Sequence, residues 1–218
     1  MLPGQHLSAN AAGTPALLDH LILGCNDLDH GIAFVEAHTG VRAAFGGVHP
    51  GAGTRNALLS LGRRRYLEIL APDPAQPDTE KSLKALSGPR LLTWAAHLTD
   101  LDALARRLRE AGIAFEGPTS GSRKRPNGLV LQWRTLMLKD DAAGLLPFFI
   151  EWSAASVHPS ADSPRGCTLA RLDASTSDPD ALARQGSLLG LDLAVVSGDK
   201  PQLRATLIGP KGRLDIAS

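Results

Sequence analysis

The chain is poor in the residues that mark special classes of protein. Among 218 residues there are two cysteines, two methionines and one tyrosine, and aromatics make up only 4%. Cys25 and Cys167 are not in CxxC spacing. That excludes a disulfide framework and points to a reducing, cytoplasmic setting, with each thiol read as a small core residue. An excess of one charge is also missing. A net charge of +1 gives no electrostatic reason to expect nucleic acid or an anionic membrane as partner. No apolar run approaches the roughly 20 residues needed to span a bilayer. Met1 to Ala16 lacks the basic start and sustained apolar run of a secretory signal, and its Gly, Ala, Ser and Pro content reads as a flexible tail. Hydrophobic content of 43% and charged content of 21% remain, enough for one large domain or two small ones.

What the chain does have is repetition. Asn26-Asp27-Leu28-Asp29 and Thr99-Asp100-Leu101-Asp102 each follow a short apolar run and open a helical pattern. Tyr66-Leu67-Glu68-Ile69 and Phe148-Phe149-Ile150-Glu151 each place a carboxylate in an apolar run. The helix starts are 73 residues apart (100 − 27) and the glutamates 83 apart (151 − 68). Around these landmarks the spacing predicts a strand over Leu17 to Leu23, a helix with Leu28, Ile32 and Val35 inside that stops at Gly40, and strands over Ala57 to Leu61 and Arg65 to Leu70. Phe45 to Thr54 reads as a loop by composition. A Pro- and Asp-rich linker, Ala71 to Pro89, leads to the second unit. It comprises a strand over Leu91 to Leu98, a helix over Asp100 to Ala111 with Gly112 as its stop, a polar loop from Gly117 to Gly128, and strands over Leu129 to Leu138 and Leu145 to Trp152. Each unit is thus βαβββ, allowing for one short strand that the pattern leaves unresolved. After a Ser-, Pro- and Asp-rich linker from Ser153 to Gly166, a partial third copy follows, with strands at Cys167 to Asp173, Leu193 to Val196 and Leu203 to Ile208, and Pro179 in the first turn of a helix. It has no glutamate in its last strand and is expected to be scaffold.

Alternate side chains of a strand share a face, and an ionised carboxylate among apolar neighbours is costly to bury without a partner. Glu68, Glu151 and the first-strand His20 therefore form a candidate metal-binding or acid–base cluster. His49, in the glycine-rich stretch, is a candidate acid or base near neutral pH, or a loop-fixing residue. The glycines there lack the lysine and spacing of a phosphate-binding loop. Asn56 could donate its amide to a substrate carbonyl or a carboxylate. Arg123, Lys124 and Arg125 form a short basic loop before Pro126-Asn127-Gly128 that could attract an anion. By alternation Trp94 points away from the Thr93 face and Trp152 away from the Glu151 face, which leaves Trp133 as the tryptophan best placed to wall a pocket. His97 shares a face with Thr93, but four residues along a strand is roughly 13 Å, too far to replace it as a ligand.

Asp19-His20-Leu21, followed by the Asn-Asp-Leu-Asp helix start, resembles the opening of the vicinal oxygen chelate superfamily, which includes the glyoxalase and bleomycin-resistance proteins. Gly46 to Asn56, Tyr66-Leu67-Glu68 and Leu146 to Trp152 are similar to its glyoxalase-like branch. The resemblance implies two βαβββ modules side by side in a cup-shaped sheet. It also implies metal ligands from the first strand and the last-strand glutamate of each module. By position these are His20, Glu68 and Glu151, with the fourth place falling on Thr93, a poor substitute for histidine.

The expected architecture is therefore α+β: a flexible tail over 1–16, a paired βαβββ domain over 17–152 with a cup-shaped mixed sheet, and a C-terminal module-like extension over 166–218 packed on it. The leading functional expectation is a lyase or isomerase acting on a compact oxygen-bearing substrate. His20, Glu68 and Glu151 would hold a divalent metal (Mn, Mg, Fe, Ni or Zn) with no organic cofactor, and a released carboxylate, Glu68 or Glu151, or else His49, would move the proton. Asn56, Thr93, Arg125 and Trp133 are the candidate substrate contacts. Two alternatives stand beside it: a metal-free protein that binds and sequesters a small molecule, and metal-free acid–base catalysis by His49 with Glu68. The expected partners are a small molecule and a second copy of the chain in a homodimer, with no nucleic acid and no membrane.

Overall fold

Two aspartates start the two central helices. In the computed structural model, which describes residues 13–76, 81–125 and 128–218, Asp27 accepts a hydrogen bond from the His30 N–H and Asp100 from the Ala103 N–H, both at 2.8 Å. The first helix, α1 (Leu28–Thr39), ends on Gly40 in the left-handed region at φ 79°. It follows β1 (Leu18–Gly24) and precedes β2 (Ala44–His49), β3 (Thr54–Gly62) and β4 (Arg65–Pro72). After the single turn α2 (Lys81–Lys84), the second unit repeats the order with β5 (Arg90–His97), α3 (Leu101–Glu110), β6 (Phe115–Lys124), β7 (Val130–Leu138) and β8 (Phe148–Trp152).

All eight strands form one mixed sheet in the order β2-β3-β4-β1-β5-β8-β7-β6. Each unit closes on itself by parallel pairing of its first and last strands, β1 with β4 and β5 with β8. The units join where β1 and β5 run antiparallel. Leu21 lies opposite Trp94, Ile22 opposite Thr93 and His20 opposite Ala95. The 73-residue offset of the helix caps maps each of these pairs onto itself or another, so it relates the two halves as a two-fold axis through Leu21 and Trp94. One face of the sheet buries Leu21, Leu23, Leu67, Ile69, Trp94 and Phe149 beneath α1 and α3, whose Ile32, Val35, Leu104 and Leu108 complete the core. The other face is concave.

The strands of this sheet missing from the sequence reading are β2 and β6, both expected as loops; β12 of the C-terminal segment was missed as well. β2 and β6 are the outermost strands, so only one neighbour pairs with each, and neither carries a clean apolar alternation. The sheet curls until these two edges meet. A Cβ on Gly46 would fall 2.4 Å from Arg123 Nη1 and 2.5 Å from Asn56 Oδ1, and one on Gly47 2.9 Å from the Lys124 carbonyl. The glycines expected to admit a ligand instead admit the opposite edge of the sheet.

The C-terminal segment comprises β9 (Thr168–Thr176), α4 (Pro179–Leu189), β10 (Ala194–Ser197), β11 (Gln202–Gly209) and β12 (Gly212–Ala217). It has the full element order of a module, with Asp178 capping α4 by accepting from the Ala181 N–H at 2.9 Å. Its pairing differs. The order is β10-β9-β11-β12, so its first strand lies beside the second and third, and its last strand is at the edge. Leu203, Leu207, Leu214 and Ile216 join the same core as the helices. Of the expected tail, residues 1–12 lie outside the described residues, as do Pro126 and Asn127. Residues 13–16 are pinned: the Leu172 N–H donates to the Gly13 carbonyl at 2.8 Å and the Ala16 N–H to Asp192 at 2.9 Å.

Gly46→Ala lowers stability by about 1–3 kcal/mol in urea denaturation, because the added methyl must displace Arg123 or Asn56. Gly88→Ala, at a site with no atom within 4 Å, stays within about 0.5 kcal/mol of the parent. Equal midpoints for the two variants would mean the edges are apart.

Candidate functional site

The concave face encloses a cavity of about 620 Å³. Module one supplies His20 from β1, His49 and Asn56 from β2 and β3, and Tyr66 and Glu68 from β4. Module two supplies Arg123, Trp133, Phe148 and Trp152. Glu68 sits at the centre of the polar half. Its Oε2 lies 3.6 Å from His20 Nε2 and its Oε1 3.7 Å from His49 Nε2. The Asn56 amide donates to Oε1 at 2.6 Å, and Arg123 Nη1 donates to Asn56 Oδ1 at 2.9 Å. Because arginine only donates and the ionised carboxylate only accepts, the Asn56 amide orientation follows from its two partners. The outer nitrogens of both imidazoles are occupied: His20 Nδ1 lies 2.7 Å from Asp19 Oδ1, and His49 Nδ1 2.8 Å from Thr54 Oγ1.

Charge decides which groups can carry protons. Burial works to raise the Glu68 pKa, but His49, His20, Asn56 and Arg123 outweigh it and hold the carboxyl below its ordinary value. Burial pushes the His49 imidazole below its ordinary value; Glu68 opposes this and Arg123 adds to it. Burial, with Asp19 and Glu68 nearby, raises the Tyr66 phenol and keeps it protonated. At neutral pH the site thus presents an ionised carboxylate beside a neutral imidazole. Behind them lies Asp19, whose burial cost is more than offset by hydrogen bonds from His158 and His20, so its carboxyl also stays ionised. An ionised Asp19 can only accept, which places the proton of His20 on Nδ1 and turns Nε2 towards Glu68.

His20, His49, Glu68, Asn56 and Trp133 therefore come together as the sequence suggested. Glu151, Arg125 and Thr93 do not. Glu151 faces the helical side of the sheet, where its Oε2 accepts from the Leu101 N–H at the start of α3 (3.1 Å) and from Arg134 (2.6 Å). Strand register explains the error. Ile22 lies opposite Glu68, and its two-fold mate Ala95 lies opposite Phe148. The true counterpart of Glu68 is Phe148, three residues before Glu151, and an odd shift along a strand reverses the face. Phe148 packs its edge on His20, ring centres 5.5 Å apart. Arg125 is buried in a structural role, bonded to Asp162 and to the Val157 carbonyl; Arg123 takes its place in the cavity. Thr93 lies opposite Ile22 but does not line the cavity. Trp152 does point away from Glu151, and for that reason it faces the cup.

The expected metal set is thus broken at two of four positions. Among the described residues, no three His, Cys, Asp or Glu side chains are arranged to hold a metal ion. The oxygens of Glu68 that would ligate one are turned to Asn56 and His20. The donors present do not fit the expected ion, and no chemical step is assigned to one. Of the residues at the site, the sequence reading missed Tyr66, Phe148, Trp152, Asp19 and His158, and took Arg125 in place of Arg123. Asp19 was visible as the neighbour of His20, but alternation placed it on the opposite face. His158 lies in a segment read as a linker, and no local pattern could assign it a role.

A glyoxalase-like domain model matches residues 18–190. Among solved structures, a hypothetical protein from Staphylococcus aureus superposes with a TM-score of 0.65 at 18% identity, covering 92% of this chain and 84% of that one. Methylmalonyl-CoA epimerase from Mycobacterium tuberculosis gives 0.48 at 27% identity, covering 67% and 94% respectively. A Streptomyces coelicolor methylmalonyl-CoA epimerase in complex with 2-nitronate-propionyl-CoA gives 0.48 at 26%, covering 65% and 100%. No curated protein matches the chain. With paired βαβββ modules in one curled sheet and a family match over most of its length, the chain belongs to the glyoxalase-like domain family of the vicinal oxygen chelate superfamily.

Proposed function

We propose that the cup is the active site of a lyase- or isomerase-type enzyme that moves a proton on a compact, oxygen-bearing small molecule without routing the step through a metal. The observation that carries this reading is the placing of one buried carboxylate, Glu68, between the Nε2 atoms of two histidines at 3.6 and 3.7 Å. His49 is the more exposed of the two, with a fifth of its side chain open against 2% for His20. In this reading His49 Nε2 takes a proton from a carbon next to a carbonyl. The electron pair of that C–H bond moves into the carbonyl, and Arg123 faces the oxygen that gains charge. Glu68 stabilises the imidazolium that forms, as a carboxylate does in other acid–base pairs. The imidazolium of His49 then returns its proton to the substrate, and His20, whose Nδ1–H is held by Asp19 and whose Nε2 is bare, is a second group able to accept one. Trp133, Trp152 and Phe148 exclude water and pack the apolar part of the ligand.

The rival reading, a binding protein that sequesters its ligand, has the same cup but no use for two histidines aimed at one carboxylate. Carbon–hydrogen exchange separates the two while the substrate is still unidentified. In D2O with EDTA present, a panel of small 2-oxo and hydroxycarbonyl acids and aldehydes is screened by NMR for deuterium entry at the carbon next to the carbonyl. Wild-type protein should catalyse exchange on at least one member, and Glu68→Gln should lose roughly 10²–10⁴-fold of that rate. Glu151→Gln should keep the rate while losing about 1 kcal/mol of stability, since it weakens the start of α3. No exchange by the wild type, or equal loss in both variants, sinks the proposal.

The pH profile follows from the same groups. The reactive form of His49 is neutral, so the rate falls as pH drops through the midpoint of the imidazole in the folded protein. That midpoint is held below the ordinary 6.5. The exchange rate should therefore stay flat from pH 8 to below 6.5 and fall only in more acid solution. A fall beginning above pH 7 contradicts the assignment of His49 as the base.

A further inference from the structure

The segment from Ser153 to Gly166 joins the two sheets and, by composition, is a spacer. In the folded chain it is held against both modules, its start on Gln132 of β7 and its later part on β3 and Arg125. The Ser60 N–H donates to the Pro164 carbonyl at 2.9 Å, Ser60 Oγ donates to the Ser160 carbonyl at 2.9 Å, and Arg125 grips both Val157 and Asp162. A 3-10 turn, Pro159–Ala161, follows His158 and buries Pro159 and Ser160. A plain spacer has no need to bury a histidine, yet His158 is 7% exposed. Its ring stands edge-on to Tyr66 and to Trp152, with centres 5.6 and 5.5 Å apart.

The hydrogen bonds of His158 leave one assignment. The Ser160 N–H donates to His158 Nδ1 at 3.3 Å, so Nδ1 carries a lone pair and the ring proton is on Nε2. That Nε2 lies 3.1 Å from Asp19 Oδ2 and donates to it. The Trp152 Nε1–H donates to the same oxygen at 3.0 Å, while Asp19 Oδ1 accepts from His20. His97 Nδ1 approaches to 3.7 Å without a hydrogen bond. His158 and Trp152 thus hold one oxygen of Asp19 and leave the other for His20. Without His158, Oδ2 keeps only the Trp152 N–H, the carboxylate is held by one bond fewer, and Oδ1 is less firmly fixed on the His20 ring.

We propose that His158 is a positioning residue of the cup: it holds Asp19, and through Asp19 it fixes the Nδ1–H of His20, so the segment between the sheets is part of the site. The proposal rests on the proton-transfer reading for its meaning, but its contact can be tested independently. A glutamine side chain can place its amide nitrogen near the position of Nε2, whereas asparagine is one methylene shorter and reaches only the Nδ1 position. A residue that merely fills space would tolerate both alike.

The test uses full-length protein labelled with 15N-histidine, with the His20 ring signals identified by their loss in His20→Gln. In the wild type, the Nδ1–H of His20, buried and bonded to Asp19, should give a resolved NMR signal that survives exchange with water. His158→Gln should keep that signal and His158→Asn should lose it, with both variants folded by their tryptophan indole spectra. A signal unchanged in folded His158→Asn overturns the positioning role. Should His158→Asn fail to fold, Ser160→Ala serves as the second variant, since it removes the hydroxyl 2.8 Å from His158 Nδ1. It should speed exchange of the His20 proton at least tenfold, and no change overturns the proposal. In the deuterium-exchange assay His158→Asn should be slower than His158→Gln. Loss of the NMR signal with equal rates for the two would leave the contact standing and reject the proton-transfer reading on which it bears.

Discussion

Two antiparallel strands at the middle of the sheet, β1 and β5, carry the whole design. Around the two-fold through Leu21 and Trp94 each has a one-residue irregularity at the same place: the register shifts past Asp19 in one strand and past Leu92 in the other. A bulge bends its strand and re-aims a side chain that simple alternation would send to the other face. In β1 this brings two adjacent residues, Asp19 and His20, into one hydrogen-bonded pair at the cup. The same geometry in β5 presents Leu92 and Thr93. The scaffold is therefore symmetric and its chemistry is not.

That asymmetry runs through the site. Glu68 corresponds to Phe148, and Asp19-His20 to Leu92-Thr93, so module one supplies most of the polar half, joined by Arg123, and module two most of the aromatic half. Burying two carboxylates in one wall would be prohibitive without partners. Each is met from several sides: Asp19 by His20, His158 and Trp152, Glu68 by two histidines and by Asn56, which Arg123 holds in turn. Arg123 reaches this network across the seam between the outer strands, where Gly46 leaves room for it. Closing the cup and completing the polar network are thus one event.

The fold was legible because its signals are local and repeated. The two Asn/Thr-Asp-Leu-Asp helix starts set the 73-residue period, and that period is the two-fold of the sheet. His20, Glu68, His49, Asn56 and Trp133 could be found because each lies at or near a repeated or unusual local pattern. The rest depended on register. Phe148 to Trp152 is apolar on both faces, since one face meets the cavity and the other the helices. Alternation then says which residues share a face but not which face it is. Choosing the wrong one sent Glu151 inward and missed Trp152. His158 depended on something no window can show, the path of an irregular segment packed against β3 and β4.

An ion held at a two-fold axis draws on matched ligands from both halves, and its geometry tolerates little displacement of any one of them. Here the second half offers Phe148 and Thr93 at the corresponding positions, and the first half turns its own groups towards one another. Glu68 is steered by Asn56 and the histidines, and His20 by Asp19. Side chains fixed by such neighbours lose less freedom on meeting a ligand than groups waiting in solvent. The duplicated architecture supplies two equivalent walls. It is the loss of equivalence between them that gives the cup one polar end and one aromatic end.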